Sequence, residues 1–475
     1  MKKKSNNKIE YGDFQTPLTL TDKICQKLVE IKVLPDLIIE PTCGIGNFVK
    51  SSNMYFKDFK KIIGIDININ YIEQLKNNQN KNNNKVTVIH DDFFDFELSQ
   101  LIKKRDDNIL ILGNFPWVTN SQLGRIKGLN LPEKNNFQHN KGLDAITGKS
   151  NFDISEWMLI KCVNFLQNYQ GYLAMLCKTS VARKIVNYLY KQNCHLSYCA
   201  TYGIDSKKYF NATVEACLLF CQFKPETKNY TCDVFEDLYT SKYNTISYIN
   251  NRLIRDSKTF KQFSYLYTNK PTIKWRSGVK HDCSKIMEFE KVGDFLINGL
   301  GKKVKLEDDY IYPLLKGSNV FNQDKNRTKK YVLITQKYIG EDTNNIRKYA
   351  PKTWNYLQSH ASYLDKRASR IYKNNPQFSI FGVGEYSFYP WKIAICGLYK
   401  KLEFRLFNLI DNKPIMFDDT VYFLSFEEEE KARQFFDILT STEVISFYSS
   451  LIFWDEKRPI KASILNCLDW KNVFK

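Results

Sequence analysis

Residues 37–48 read Leu37-Ile38-Ile39-Glu40-Pro41-Thr42-Cys43-Gly44-Ile45-Gly46-Asn47-Phe48. A short apolar strand runs straight into two glycines spaced at i and i+2. Glycines there let the backbone turn tightly and approach a ligand at the carboxyl edge of a sheet, where open α/β folds bind small molecules. The third glycine of a dinucleotide fingerprint is missing, since Val49 stands in its place. A pyrophosphate is therefore disfavoured, and a nucleoside ligand without phosphate stays open. Outward from this stretch, strand-like runs recur at Lys61–Asp66, Val86–Asp91, Ile109–Asn114, Gly171–Lys178 and Ala216–Phe223. Between them lie amphipathic patterns at Leu18–Ile31, Asn68–Gln79, Asp153–Asn168 and Ser180–Lys191, with Asp153 and Ser180 as candidate helix caps. Alternating strands and helices predict an α/β fold with a mainly parallel sheet covered on both faces.

The chain is 475 residues long, more than one ordinary domain of about 150 residues. It carries 70 Lys+Arg against 51 Asp+Glu, a formal charge of +19, which points to a polyanionic partner and to nucleic acid before membrane. Met1-Lys2-Lys3-Lys4 is followed by polar residues rather than an apolar stretch, so export is not expected. No run is long and apolar enough to predict a membrane span. The 12 cysteines are scattered without zinc or redox spacing and read as reduced, buried side chains of a cytoplasmic protein. The five histidines are widely separated, and no metal site is expected.

After Pro225 the rhythm changes. Residues 226–286 are polar and Tyr-rich and read as a connecting region. From 287 to 475, aromatic strand-like pieces mix with Lys/Arg-rich segments, as in a mixed α+β second domain. Lys366, Arg367, Arg370, Lys373, Lys392, Lys400 and Lys401 are candidate phosphate contacts there. Segment Phe381–Tyr386 has glycines suited to close backbone approach, to DNA or within a turn. Glu427–Glu430 reads as the N-terminal face of a helix.

Two further strand ends carry side chains to the edge of the glycine loop. Asp66, about twenty residues after the glycines, can accept hydrogen bonds from ribose hydroxyls, although a solvated strand-end aspartate is the plain alternative. Asp91-Asp92-Phe93-Phe94 offers Asp92 to an adenine amino group and Phe93 to its ring, or is simply a turn. The stretch Ile109-Leu110-Ile111-Leu112-Gly113-Asn114-Phe115-Pro116-Trp117 decides between these readings. Asn114 to Trp117 resemble the Asn-Pro-Pro-aromatic motif of amino methyltransferases, which methylate exocyclic nitrogens of DNA bases with S-adenosylmethionine. One departure is plain: Phe115 stands at the usual second proline. A backbone carbonyl is the acceptor at that position, and Phe still provides it.

The resemblance extends along the chain. Tyr11-Gly12-Asp13-Phe14-Gln15-Thr16-Pro17 is similar to the segment that contacts the methionine part of the cofactor, and its place ahead of the glycine loop matches the γ order. Lys208-Tyr209-Phe210-Asn211-Ala212-Thr213-Val214 is similar to the segment whose Phe packs on a flipped adenine, with Tyr209 an equal candidate. Residues 291–317 resemble the opening of a γ-type target-recognition domain. The resemblance thus implies a Rossmann-like methyltransferase sheet over 1–225 and a DNA-recognition domain over 287–475. It implies cofactor contacts from Phe14, Thr16, Pro17, Glu40, Gly44, Gly46, Asp66, Asp92 and Phe93. Asn114, Phe115, Pro116 and Trp117 would be catalytic, and Trp117 and Phe210 would hold the target base. The implied activity is adenine-N6 methylation of double-stranded DNA by base flipping, in a bacterial restriction–modification enzyme working alone or with a separate endonuclease. Cytosine-N4 methylation and a non-catalytic DNA-binding specificity protein are the alternatives.

Overall fold

The structure is a computed structural model that describes residues 15–78, 84–104, 107–117, 154–322 and 328–474. The chain divides between Ser257 and Lys258 into two compact units.

Among the described residues of the first unit, ten strands form one sheet. They are β1 (Leu37–Glu40), β2 (Lys61–Asp66), β3 (Val86–His90), β4 (Ile109–Asn114), β5 (Gly171–Lys178), β6 (Leu196–Ile204), β7 (Ala216–Phe223), β8 (Thr231–Phe235), β9 (Lys242–Ile249) and β10 (Arg252–Ile254). Their order across the sheet is β10-β9-β8-β6-β7-β5-β4-β1-β2-β3. β1 pairs in parallel with β2 and β4, β2 with β3, and β4 with β5, while β7 runs antiparallel between β5 and β6. The strand order reverses between β1 and β4, which makes their carboxyl ends the topological switch point of the sheet.

The central strands are apolar throughout because both faces are covered. Leu110 and Leu112 of β4 join a core with Leu20, Ile24 and Leu28 of helix Leu18–Glu30 and with Phe48 and Val49 of helix Asn47–Tyr55. Ile109 and Ile111 alternate with them, are equally buried, and face the other way. Helices Ile154–Leu166 and Thr179–Lys191 both touch β5 and present Leu159, Val163, Val181 and Ile185 as buried side chains. The predicted mainly parallel, doubly covered sheet is therefore present.

One local expectation changes. Ser180 lies inside its helix rather than capping it, because the helix begins at Thr179, whose N–H donates to the Glu215 carbonyl. Asp153 lies outside the described residues. The first unit also runs beyond residue 225. β8 pairs in parallel with β6, and β9 and β10 add antiparallel strands, so 231–254 extend the sheet rather than connect two domains. Their polar, Tyr-rich alternation is that of strands at a sheet margin, half-buried rather than sealed.

Among its described residues, the second unit holds two smaller sheets. One has the order β14 (Lys303–Val304), β13 (Phe295–Asn298), β12 (Glu288–Val292), β16 (Lys330–Leu333), β15 (Ile311–Leu315), β19 (Met416–Phe417). The other runs β11 (Arg276–Ser277), β20 (Val421–Phe426), β17 (Trp391–Cys396), β18 (Arg405–Phe407). Helices Pro351–Ser359, Glu429–Thr440 and Thr442–Leu451 complete a mixed α+β unit. Glu429 and Glu430 occupy the first turn of their helix, where the dipole favours them.

Two of the candidate phosphate contacts are turned inward. Lys392 is buried, with its ammonium donating to the carbonyls of Ser387 (2.6 Å) and Ile415 (2.5 Å). Arg367 donates to the carbonyls of Leu364, His281 and Ser379 and lies 3.6 Å from the Tyr372 ring centre. The close approach at Gly382 is internal too: at φ +72°, a Cβ there would meet the Gly278 carbonyl oxygen at 2.2 Å. All twelve cysteines are free thiols, and all but Cys283 are buried. Among the described residues, no helix is long and apolar enough to cross a membrane, and no group of His, Cys, Asp or Glu is placed to hold a metal ion.

Candidate active site

The site is assembled from the carboxyl ends of β1, β2 and β4. After β1 the chain passes through Gly44 at φ +49° and Gly46 at φ +79°, left-handed values that favour glycine. Gly44 N–H donates to Asp66 Oδ2 at 2.7 Å, and Asn68 N–H donates to Asp66 Oδ1 at 2.8 Å. These bonds fix the carboxylate at the end of β2. Ile45 N–H donates to Gln15 Oε1 (3.2 Å), and Asn47 Nδ2 donates to the Thr16 carbonyl (2.8 Å). The segment before the first helix is thereby tied to the glycine loop. Pro17 then supplies the last extended residue before helix Leu18–Glu30.

Glu40, at the end of β1, is turned into the fold. It is buried, and its Oε2 accepts Val49 N–H at 3.1 Å in the first turn of helix Asn47–Tyr55. Burial pushes its carboxyl well above the ordinary glutamate value, against the Val49 hydrogen bond and with help from the Asp66 charge.

β4 delivers Asn114 beside this loop. Asn114 Nδ2 donates to Thr16 Oγ1 at 3.2 Å, and the Thr42 hydroxyl donates to the Asn114 carbonyl at 3.3 Å. Asn114 Oδ1 is buried with no hydrogen-bond partner among the described residues. A buried orphan acceptor costs about 1–3 kcal/mol, so it marks a position where a donor is wanted. The Trp117 indole N–H is buried and unpartnered in the same way. Lys178, at the end of β5, donates to the Trp117 carbonyl at 3.1 Å.

The aromatic residues pair off. Phe115 is 1% exposed and packs on Phe93, with ring centres 5.4 Å apart. The residue that replaces proline is thus a core side chain. Phe93 is buried, and Lys161 donates to its carbonyl (2.8 Å) and to that of Phe94 (2.9 Å). Asp92 Oδ1 accepts Phe94 N–H at 2.8 Å, closing the turn that the plain reading of this stretch predicts. Trp117 and Phe210 are in contact at 5.0 Å between ring centres, tilted by 60°. That spacing leaves no room for a base between them unless the rings part. Phe210 ends a short helix capped by Asp205, whose Oδ1 accepts Lys208 N–H at 2.9 Å. Tyr209 accepts a hydrogen bond from Lys23 instead (3.3 Å).

The structure therefore brings together Thr16, Asn114, Gly44 and Asp66, and separately joins Phe93 to Phe115 and Trp117 to Phe210. Phe14 lies outside the described residues. Thr42, Lys161 and Lys178 were not singled out from the sequence. Their contacts reach across 72, 68 and 61 residues, and no local pattern announces them.

Comparison with known proteins gives a close relative and likenesses to solved structures. The chain is 59% identical over 469 residues, 98% of each chain, to the Type II methyltransferase M.NspV of Nostoc sp. (strain ATCC 29411 / PCC 7524). Its fold is similar to that of the Type IIL restriction-modification enzyme MmeI solved in complex with DNA, with TM-score 0.51 and 12% identity. That likeness covers 94% of this chain, which spans 64% of the length of that enzyme. No protein-family model matches the chain.

Proposed function

The chain belongs to the type II methyltransferases, and from that premise we propose that it methylates the exocyclic N6 of adenine in double-stranded DNA. The observation that carries this reading is the buried, unpartnered Asn114 Oδ1 at the switch point of the sheet. An exocyclic amino nitrogen is a poor nucleophile because its lone pair is delocalised into the ring. Asn114 Oδ1 and the Phe115 carbonyl would accept the two amino hydrogens and draw the lone pair out of conjugation. This is positioning and electrostatic stabilisation, without a covalent enzyme intermediate.

The donor implied by the family is S-adenosylmethionine, which when bound supplies an activated methyl group. The residues present fit it. A left-handed glycine loop and a fixed carboxylate, Asp66, lie on neighbouring strand ends beside the orphaned acceptor. Gly44, Gly46 and Asp66 would hold its nucleoside part together with Asp92 and Phe93, and Thr16 and Pro17 would border its methionine part; the family resemblance adds Phe14 to that role. Glu40 would act from beneath, by holding the N-terminal turn of helix Asn47–Tyr55 against the loop.

A base inside a duplex must be rotated out before its amino group can be reached, at a cost of a few kcal/mol. Stacking on an aromatic ring returns about 1–3 kcal/mol. Trp117 and Phe210 would part to receive the base. The net charge of +19 suits the polyanionic substrate. A separate endonuclease recognising the same sequence is the partner this reading implies.

The test is mass spectrometry of nucleosides from unmethylated DNA incubated with the protein and labelled S-adenosylmethionine, beside Asn114→Ala. Labelled N6-methyladenine that vanishes in the variant supports the proposal. Labelled N4-methylcytosine would replace the base while keeping the mechanism. DNA binding with no labelled nucleoside would leave a specificity protein.

A further inference from the structure

In the second unit, β12 and β13 form a hairpin in which Val292 lies opposite Phe295 and Glu290 opposite Ile297. Directly opposed residues share a face of the sheet. The inward face of this hairpin is ordinary core, with Phe289 and Leu296 buried in the cluster that contains Tyr331. The outward face is not ordinary. Val292 is 51% exposed and Phe295 44% exposed, side by side at the turn formed with Gly293 at φ +58°.

Lysines lie against the second of these apolar side chains. Lys303 and Lys305 place their ammonium groups 5.7 and 5.5 Å from the Phe295 ring centre. Lys303 is also the register partner of Ile297, and Lys330 that of Glu290. Among the described residues, no carboxylate forms an ion pair with Lys303, Lys305 or Lys330. Lys291, on the opposite face, is paired with Asp411 at 3.6 Å. Acidic Glu290 and Asp294 belong to the same hairpin, and Asp294 sits in its turn.

Edge strands commonly carry lysines to prevent unwanted pairing, and β14 is the edge of its sheet. Edge protection explains the lysines and leaves the apolar pair unexplained, since exposed Val and Phe would invite association. Only the tip of the hairpin, where they sit, is two-stranded, because β16 pairs β12 only at Glu288–Glu290 and β14 pairs β13 only at Leu296 and Ile297. A two-stranded β-ribbon fits the major groove of DNA.

We infer that the tip of the hairpin Glu288–Asn298 is a DNA-reading ribbon, with Val292 and Phe295 against base edges and Lys303 and Lys305 on the flanking phosphates. This rests on the reading of the chain as a DNA methyltransferase and names a surface that reading does not supply.

The experiment uses the full-length protein and linearised, unmethylated plasmid DNA. Affinity is measured over a series of salt concentrations for wild type, for the Lys303→Gln/Lys305→Gln double variant and for Phe295→Ala. All three substituted residues are solvent-facing, and equal melting temperatures verify that the variants fold. The double variant is expected to lower the slope of log affinity against log salt by about two, one for each phosphate left without its lysine. Phe295→Ala is expected to keep the slope and to lower plasmid methylation roughly tenfold. Wild-type slope in the double variant would overturn the inference, and wild-type methylation in Phe295→Ala would remove Phe295 from the base edges. Absence of methyl transfer by the wild type would sink the methyltransferase reading, whereas the DNA-reading ribbon stands or falls on the salt slope.

Discussion

Thr16 Oγ1 accepts a hydrogen bond from Asn114 Nδ2 across 98 positions of sequence. That contact holds the amide nitrogen and leaves Oδ1 as the unpartnered acceptor. Thr16→Val keeps the shape and removes the bond, so the amide loses its anchor. We expect a turnover loss of roughly tenfold with little change in KM for DNA, because positioning is lost rather than binding. Asn114→Ala should cost about a hundredfold or more. Steady-state methyl transfer measures both. Unchanged turnover in Thr16→Val would remove Thr16 from the positioning role.

The burial of Phe115 against Phe93 separates stability from chemistry at this position. Phe115→Ala should destabilise the first unit by about 3–5 kcal/mol through the cavity it leaves. Phe115→Leu should cost only about 1 kcal/mol and retain methyl transfer, because the acceptor assigned here is the backbone carbonyl. Urea unfolding and methyl transfer on the same preparations make the comparison. A well-folded but inactive Phe115→Leu would show that the ring itself acts on the substrate.

The two glycines of the loop should differ in their tolerance of alanine. At Gly46 a Cβ would stand 2.3 Å from Leu75 Cδ1, in the core and at φ +79°. At Gly44 the nearest atoms belong to the end of the Gln15 side chain, which can swing away at the cost of its hydrogen bond from Ile45 N–H. The left-handed backbone costs about 1–2 kcal/mol in either case, and the clash falls on Gly46. Melting curves should therefore place Gly46→Ala clearly below Gly44→Ala, and equal melting temperatures would refute the assignment.

Lys392 makes the second unit sensitive to pH. Burial pushes its ammonium pKa down to about 7 from the ordinary 10.5. Between those values the unfolded chain holds a proton that the folded chain lacks, so stability contributed through this group rises with pH from about 7 to about 10. Below pH 7 both states are protonated and the buried cation exerts its full cost. Lys392→Met removes the titration. Urea midpoints from pH 7 to 9 should rise less steeply in the variant than in the wild type, and parallel profiles would contradict the lowered Lys392 pKa.

The alternation of apolar runs and helical patterns is sufficient to read β1, β2, β4, β5 and β7 at their observed bounds, because a strand sealed on both faces is continuously apolar. β6 escapes that reading. Its Ser197, Tyr198, Thr201 and Gly203 interrupt the apolar signal, and its place is set by pairing with β7 and β8. The same cause hides β8 to β10 and moves the end of the first unit from near residue 225 to Ser257. Sequence alone determined that glycines, an acidic residue and Asn114 stand at strand ends, since local order places a residue after its strand. Only the tertiary structure decided that β1 and β4 are neighbours, that Thr16 meets Asn114, and that Phe115 is a core residue. It also turned Lys392 and Arg367 inward while leaving Phe295 exposed between Lys303 and Lys305. Charge and hydrophobicity are properties of a residue, but burial and partnership belong to pairs of residues far apart in the chain, and folding alone brings them together.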